Sequence, residues 1–188
     1  QIIAHTKRLS DSLQLGLNDF SEALRQQDSM DTDSVKLAMQ KGMGHEWREW
    51  IFNVAPREGM TGEMWLQIAE ILAKMDRFDI DQAYEKQLEA YKNAAYYFPD
   101  VRYKALTLLL KNYREAGFAP GMITTAQQLY LLDEERAISA KIEYDVALAY
   151  YFLGDRKNGL TWINYHKSNH PNDNRTKALK KKIKKLEK

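Results

Sequence analysis

The sequence predicts an all-α chain built from stacked helix pairs, and three observations carry that prediction. Apolar residues recur at spacings of three and four along most of the chain. Clusters containing Gly, Pro and Asp cut this pattern into helix-length pieces. One stretch, Ala140 to Asp173 (AKIEYDVALAYYFLGDRKNGLTWINYHKSNHPND), is a complete helix-turn-helix unit of about 34 residues with its own start, turn and stop.

Within that unit, Val146, Ala147, Tyr150 and Leu153 form the buried stripe of a first helix, which ends where Gly154 can turn left-handed. A second helix is expected from about Lys157 to Ser168, with Leu160, Ile163 and Tyr165 facing the first, and Pro171 blocks its continuation. Ala147 is expected at the closest crossing of the two helices. Ala149, rotated about 200° round the helix, is expected to face away.

The unit resembles the tetratricopeptide repeat. Glu143 stands where that family usually has Trp, Val146 and Ala147 where it has Leu-Gly, and Tyr150 where it has Tyr. Gly159 takes the place of Ala, Ile163 of the aromatic residue, and Pro171 of Pro. The resemblance implies a right-handed superhelical stack of antiparallel helix pairs, an α-solenoid.

Two further units precede this one. In the first, Trp65, Ile68, Ala69 and Leu72 match the repeat's first helix, and Met75-Asp76-Arg77 replaces the Gly turn. Its second helix, capped by Asp81, runs through Ala83, Leu88, Tyr91, Ala94 and Ala95 to Phe98-Pro99-Asp100. In the next, Leu106, Leu109, Leu110 and Tyr113 precede a turn at Gly117, and Met122 and Ala126 lie on a helix ending near Asp133. Leu110, in place of a small residue, is expected to widen that pair. The repeats therefore cover about 62–100, 103–136 and 140–173, within a region 61–174.

Residues 1–60 are expected to form N-terminal helices, as a degenerate repeat or cap. Leu9, Leu13, Leu17, Phe20 and Leu24 line one helix, Asp28 to Ser34 break it, and Val35 to Met39 follow. His45 to Val54 places Trp47, Trp50, Ile51 and Val54 on one face. Residues 175–188 are expected to be a basic capping helix with Leu179, Ile183 and Leu186 on its apolar stripe.

Composition narrows the function class. With 44% hydrophobic and 29% charged residues, the chain suits one globular domain or a short repeat array. No apolar run approaches the roughly 18 residues that span a bilayer. The chain opens on Gln rather than Met, which fits removal of a leader or tag. The absence of Cys excludes disulfides and thiolate zinc sites and is compatible with either cytoplasm or bacterial periplasm. Residues 1–99 carry 11 basic against 16 acidic groups, and residues 100–188 carry 17 against 10. Eight of those bases and one acid lie in 175–188, so the basic character is a tail, not a face.

Sharper chemistry finds little support. His166 and His170 are four apart, a chelating spacing, but no carboxylate or third histidine accompanies them and Pro171 disturbs the turn, so no metal is expected. Asp28, Asp31 and Asp33 lack the Gly and distant Glu of a calcium loop. His45-Glu46 lacks the second histidine of a zincin, Glu49 standing in its place. There is no Gly-rich phosphate loop or recognisable nucleophile turn, so neither enzymatic activity nor a cofactor is expected. Tyr96-Tyr97 and Tyr150-Tyr151 read as core and groove residues before base-stacking platforms.

The family resemblance implies a scaffold or adaptor that binds a peptide or helical segment of a partner protein in the concave groove. Matching positions are Lys104, Thr107, Lys111, Arg114, Lys141, Tyr144, Leu148, Tyr151 and Phe152. The bases are expected to take acidic groups and the apolar set to take apolar anchors. Asp145 and Leu108 stand where the carboxylate-clamp subset of the family needs Asn, so that role is not expected. The alternative is a binder of nucleic acid or an anionic surface through the basic C-terminal helix. That helix's apolar stripe favours simple closure of the stack.

Overall fold

The computed structural model describes residues 59–76 and 82–186, together with residues 11, 14, 15, 17 and 18. Among these the chain is all-helical. It divides into two compact units, 1–105 and 106–188. The expectations for Leu9, Leu13, Phe20, Leu24, Asp28 to Ser34, Val35 to Met39 and His45 to Val54 lie outside the described residues, as does Asp81.

In the first unit, α1 (Gly62–Asp76) opens with Thr61, whose Oγ1 accepts from the Met64 N–H at 3.2 Å. It buries Met64, Trp65, Leu66, Ile68, Ala69, Ile71, Leu72 and Met75 over most of its circumference, and Glu63, Gln67, Glu70 and Lys74 make the narrow polar stripe on the remaining side. α2 (Ala83–Tyr97) packs against it and stops before Pro99. Gln82, at φ 64°, is the N-cap residue of α2, with no side-chain cap bond. Leu17 is fully buried, and Gln14 and Asn18 hydrogen-bond Gln67 of α1 at 2.5 and 3.0 Å.

Helix α3 (Arg102–Glu115) crosses the boundary between the units. It ends in a Schellman motif at Gly117 (φ 68°). The Phe118 N–H donates to the Tyr113 carbonyl at 2.8 Å, and the Gly117 N–H to that of Arg114 at 3.2 Å. α4 (Ala119–Leu132) follows at once. The same device recurs at the end of α6 (Ile142–Phe152). Gly154 has φ 71°, and the Asp155 and Gly154 N–H groups donate to Tyr150 and Tyr151 at 2.9 and 3.1 Å. The residues leading into the next helix also match, with φ/ψ of −81°/81° at Phe118 and −81°/85° at Asp155. α4 and α7 (Arg156–Asn169) are each 14 residues long. The helix-turn-helix unit thus repeats 37 residues apart, measured between Gly117 and Gly154.

Between these pairs lies an element with no counterpart in the sequence reading, α5 (Glu134–Ser139). Asp133 caps it by accepting from the Arg136 N–H at 2.9 Å. Lys141, at φ 62°, then turns the chain into α6. α8 (Arg175–Lys184) closes the described chain, burying Thr176, Leu179 and Ile183.

Helix α6 packs against α4, α5, α7 and α8. Ala147, Ile163, Leu179 and Ile183 form the core where α6, α7 and α8 meet. Ala149 lies outside that cluster but is as fully buried as Ala147, so facing away from the crossing does not leave it open to solvent. With α4 packed on α6 as well as α7, a rotation of about 200° exchanges one covered side for another.

Candidate functional site

The nine groove positions divide by what they touch. Lys104 is exposed and pairs with Glu63 at 3.0 Å, within the first unit. Thr107 and Lys111 are exposed, the latter 3.9 Å from Glu115 one turn on. Arg114 reaches the nearly buried Asp145 at 3.1 Å, and Lys141 reaches Asp173 at 3.2 Å. Tyr144 lies beneath the Arg175 guanidinium, 4.5 Å from its ring centre. Leu148 and Tyr151 are half-buried against the α6–α8 core, whereas Phe152 is exposed beside Tyr151, ring centres 5.9 Å apart. Each base of the set therefore lies within reach of a carboxylate of this chain, and the exposed members are Lys104, Thr107, Lys111 and Phe152.

Those carboxylates belong to a polar cluster in the second unit. Glu143, on the first turn of α6, is fully buried, and so is His166 on α7. The Glu143 oxygens lie 3.9 Å from His166 Nδ1 and 3.6 Å from His170 Nε2, and Oε1 accepts from Asn169 Nδ2 at 2.8 Å. His166 Nε2 is 3.5 Å from Asp173. His170 Nε2 donates to the Ile138 carbonyl at 2.8 Å, since a carbonyl can only accept. Asp173, in the turn after Pro171, holds Arg175 through both carboxylate oxygens at 2.8 and 3.1 Å and receives the Arg175 N–H at 3.0 Å.

The local fields follow from these contacts. Hydrogen bonds from Arg175, then from Lys141, hold the Asp173 carboxyl far below the ordinary carboxylate range. Asp173 in turn raises Arg175. Burial raises Asp145 in spite of Arg114, and burial raises Tyr144. Burial lowers His166 more than Glu143 can raise it, so the ring is held neutral. Both His166 nitrogens and Glu143 Oε2 are buried with no hydrogen-bond partner among the described residues.

The expectation that no carboxylate accompanies the histidine pair is thus corrected: Glu143 does. It is remote in sequence and reaches the pair because α6 packs on α7. Its signal was present, since Glu143 shares a stripe with Val146, Ala147 and Tyr150 at spacings of three, four and seven, which places a carboxylate on a buried face. Asp173 carried no comparable signal. On the tail, Leu179 and Ile183 are buried and Leu186 half-buried, while Lys177, Lys181, Lys182, Lys184 and Lys185 point into solvent. Lys180 bonds Asn164 at 2.6 Å. No helix among the described residues is long and apolar enough to cross a membrane.

Comparison of the chain with protein-family profiles, curated proteins and solved structures gives no match.

Proposed function

We propose that this chain is a protein-interaction module, a right-handed superhelical stack of helix pairs of the tetratricopeptide type, which holds a peptide of a partner protein along the face led by α6. The observation that supports this reading is the recurrence of one helix–Schellman–helix unit at Gly117 and Gly154, with matching dihedral angles at the entry to the following helix. Such units bury their apolar faces only against neighbours, and arrays of them present extended surfaces suited to chain segments.

The face offers Leu148, Tyr151 and Phe152 as apolar contacts, with Thr107 and Lys111 exposed on α3. Because Arg114 and Lys141 already bond Asp145 and Asp173, the segment it suits carries bulky apolar anchors more than a run of acids. Pull-down with mass spectrometry names the partner, and titration with the purified partner segment tests the face. Tyr151→Ala combined with Phe152→Ala is expected to weaken binding at least about tenfold, the scale of losing one hot spot. If Lys111→Glu with Tyr151→Ala leaves affinity unchanged while circular dichroism stays helical, the face is wrongly assigned.

A further inference from the structure

We propose that Glu143, His166 and His170 form a binding site for one divalent transition-metal ion, with Zn2+ the best fit, which ties the start of α6 to the end of α7. One ligand atom from each residue lies within 4.8 Å of the other two. Two imidazoles and a carboxylate are the donor set that borderline ions such as Zn2+ prefer, whereas Mg2+ and Ca2+ take oxygen alone. His166 lies on the last turn of α7 and His170 is the C-cap residue just beyond it, with ring centres 4.9 Å apart.

A second, independent observation points to a ligand. His166 Nδ1, His166 Nε2 and Glu143 Oε2 are fully buried polar atoms without a hydrogen bond. Burying such groups unpaired is costly, and native proteins rarely do so without a reason. The Glu143 oxygens face two imidazoles and an amide instead of an ammonium or guanidinium. A bound cation would supply the missing partner to Glu143 Oε2 and to one His166 nitrogen, while His170 is already bonded to the Ile138 carbonyl through Nε2. Asn169, bonded to Glu143 Oε1 at 2.8 Å, is placed to orient that carboxylate from outside the coordination sphere.

Ligand atoms round a tetrahedral Zn2+ lie about 3.3 Å apart, given Zn–N and Zn–O distances of about 2.0–2.2 Å. Coordination therefore requires the side chains to draw in. His170 has the freedom to do so, being the ligand that retains solvent contact, with its side chain 17% exposed, and it marks the way in for the ion.

The test uses the full chain without a histidine tag, stripped with chelator, and Co2+ and Zn2+ as probes. The expected result is one ion per chain by calorimetry, visible ligand-field bands with Co2+, and a higher melting temperature with Zn2+. His170→Ala and Glu143→Gln, each shown to remain helical, are expected to weaken binding at least about 100-fold, since loss of an outer-shell partner alone costs about 10–100-fold. Uptake of no ion by the wild-type chain overturns the proposal, as does affinity unchanged in both variants. Should either variant fail to fold, the wild-type chain decides by NMR. Co2+ must shift the imidazole signals of His166 and His170, and shifts confined to His5 and His45 overturn the site.

Discussion

Gly159 and Gly121 occupy the second helices of the two matching units, and replacing each by Ala should move stability in opposite directions. A Cβ built on Gly159 meets only the Ile183 side chain, at 3.2, 3.4 and 3.6 Å. The nearest of these is the Cγ2 methyl, so Ile183, on α8, has to yield by a few tenths of an ångström. Against that small cost stands the helix-interior preference for Ala over Gly of about 0.8–1.0 kcal/mol. The net gain should be about 0.5 kcal/mol, a rise of roughly 1–2 °C in Tm for a chain this size. Ala is also the residue that the resembled repeat carries at this position. A Cβ on Gly121 instead lies 2.6 Å from Phe118 Cδ1 and 2.7 and 2.8 Å from Tyr113 Cδ2 and Cε2.

No real Cβ sits so close to ring carbons. Phe118 is half exposed and can swing aside, but Tyr113 is buried and stacked edge-on against Phe118, ring centres 5.3 Å apart. Overpacking of this kind costs about 1–3 kcal/mol, and a position in the first turn of α4 recovers little of the propensity gain. Gly121→Ala should therefore lose about 1–2 kcal/mol. Urea denaturation of both variants against wild type, followed by far-ultraviolet circular dichroism, measures the difference directly. If Gly121→Ala proves as stable as Gly159→Ala, the close approach of α3 residues to α4 at Gly121 is wrong.

Two further outcomes are expected. Ala147→Leu should destabilise by about 1–3 kcal/mol through overpacking, and Ala149→Gln should be about as damaging as Ala147→Gln, since both sites are fully buried; a thermal melt showing Ala149→Gln near neutral would contradict the packing of α4 on α6. Asp173 has a depressed folded-state value, so its stabilisation is fully present above the unfolded carboxylate pKa of about 3.9 and is lost as pH falls below it. Asp173→Asn should lower Tm at pH 7 and flatten the loss of stability below about pH 4, with Lys141, Arg175 and His166 the charged or titratable groups facing it; an unchanged acid profile would contradict the ion-pair geometry.

Much of the fold could be read locally because its punctuation is local. Gly117, Gly154 and Pro171 stop or turn helices through their own backbone limits, and the second helix expected over 157–168 is found as Arg156–Asn169. What escaped notice has no such marker. Lys141 and Gln82 adopt the left-handed conformation without being Gly, and α5 is a short helix that sequence periodicity cannot resolve. The burial of Ala149 was missed for another reason: it was judged from the crossing with α7, and α6 also packs on α4, α5 and α8.

Two of the cations expected to face a partner have carboxylate partners in this chain. Seen along the sequence, Arg114 and Lys141 are cations on a helix face with nothing to neutralise them. Their partners, Asp145 and Asp173, lie 31 and 32 residues away and meet them only when α6, the end of α3 and the turn after α7 pack together. Burying the first turn of α6 therefore brings two carboxylates, Glu143 and Asp145, into the interior, and each must be matched. Arg114 matches Asp145 with good geometry, and Arg175 with Lys141 satisfies Asp173. Glu143 is left facing the two imidazole rings at 3.6–3.9 Å, too far for a hydrogen bond, although Asn169 serves one of its oxygens. Glu143 is thus a fully buried acid beside two histidines, a residue whose presence the packing of α6 on α7 does not by itself explain.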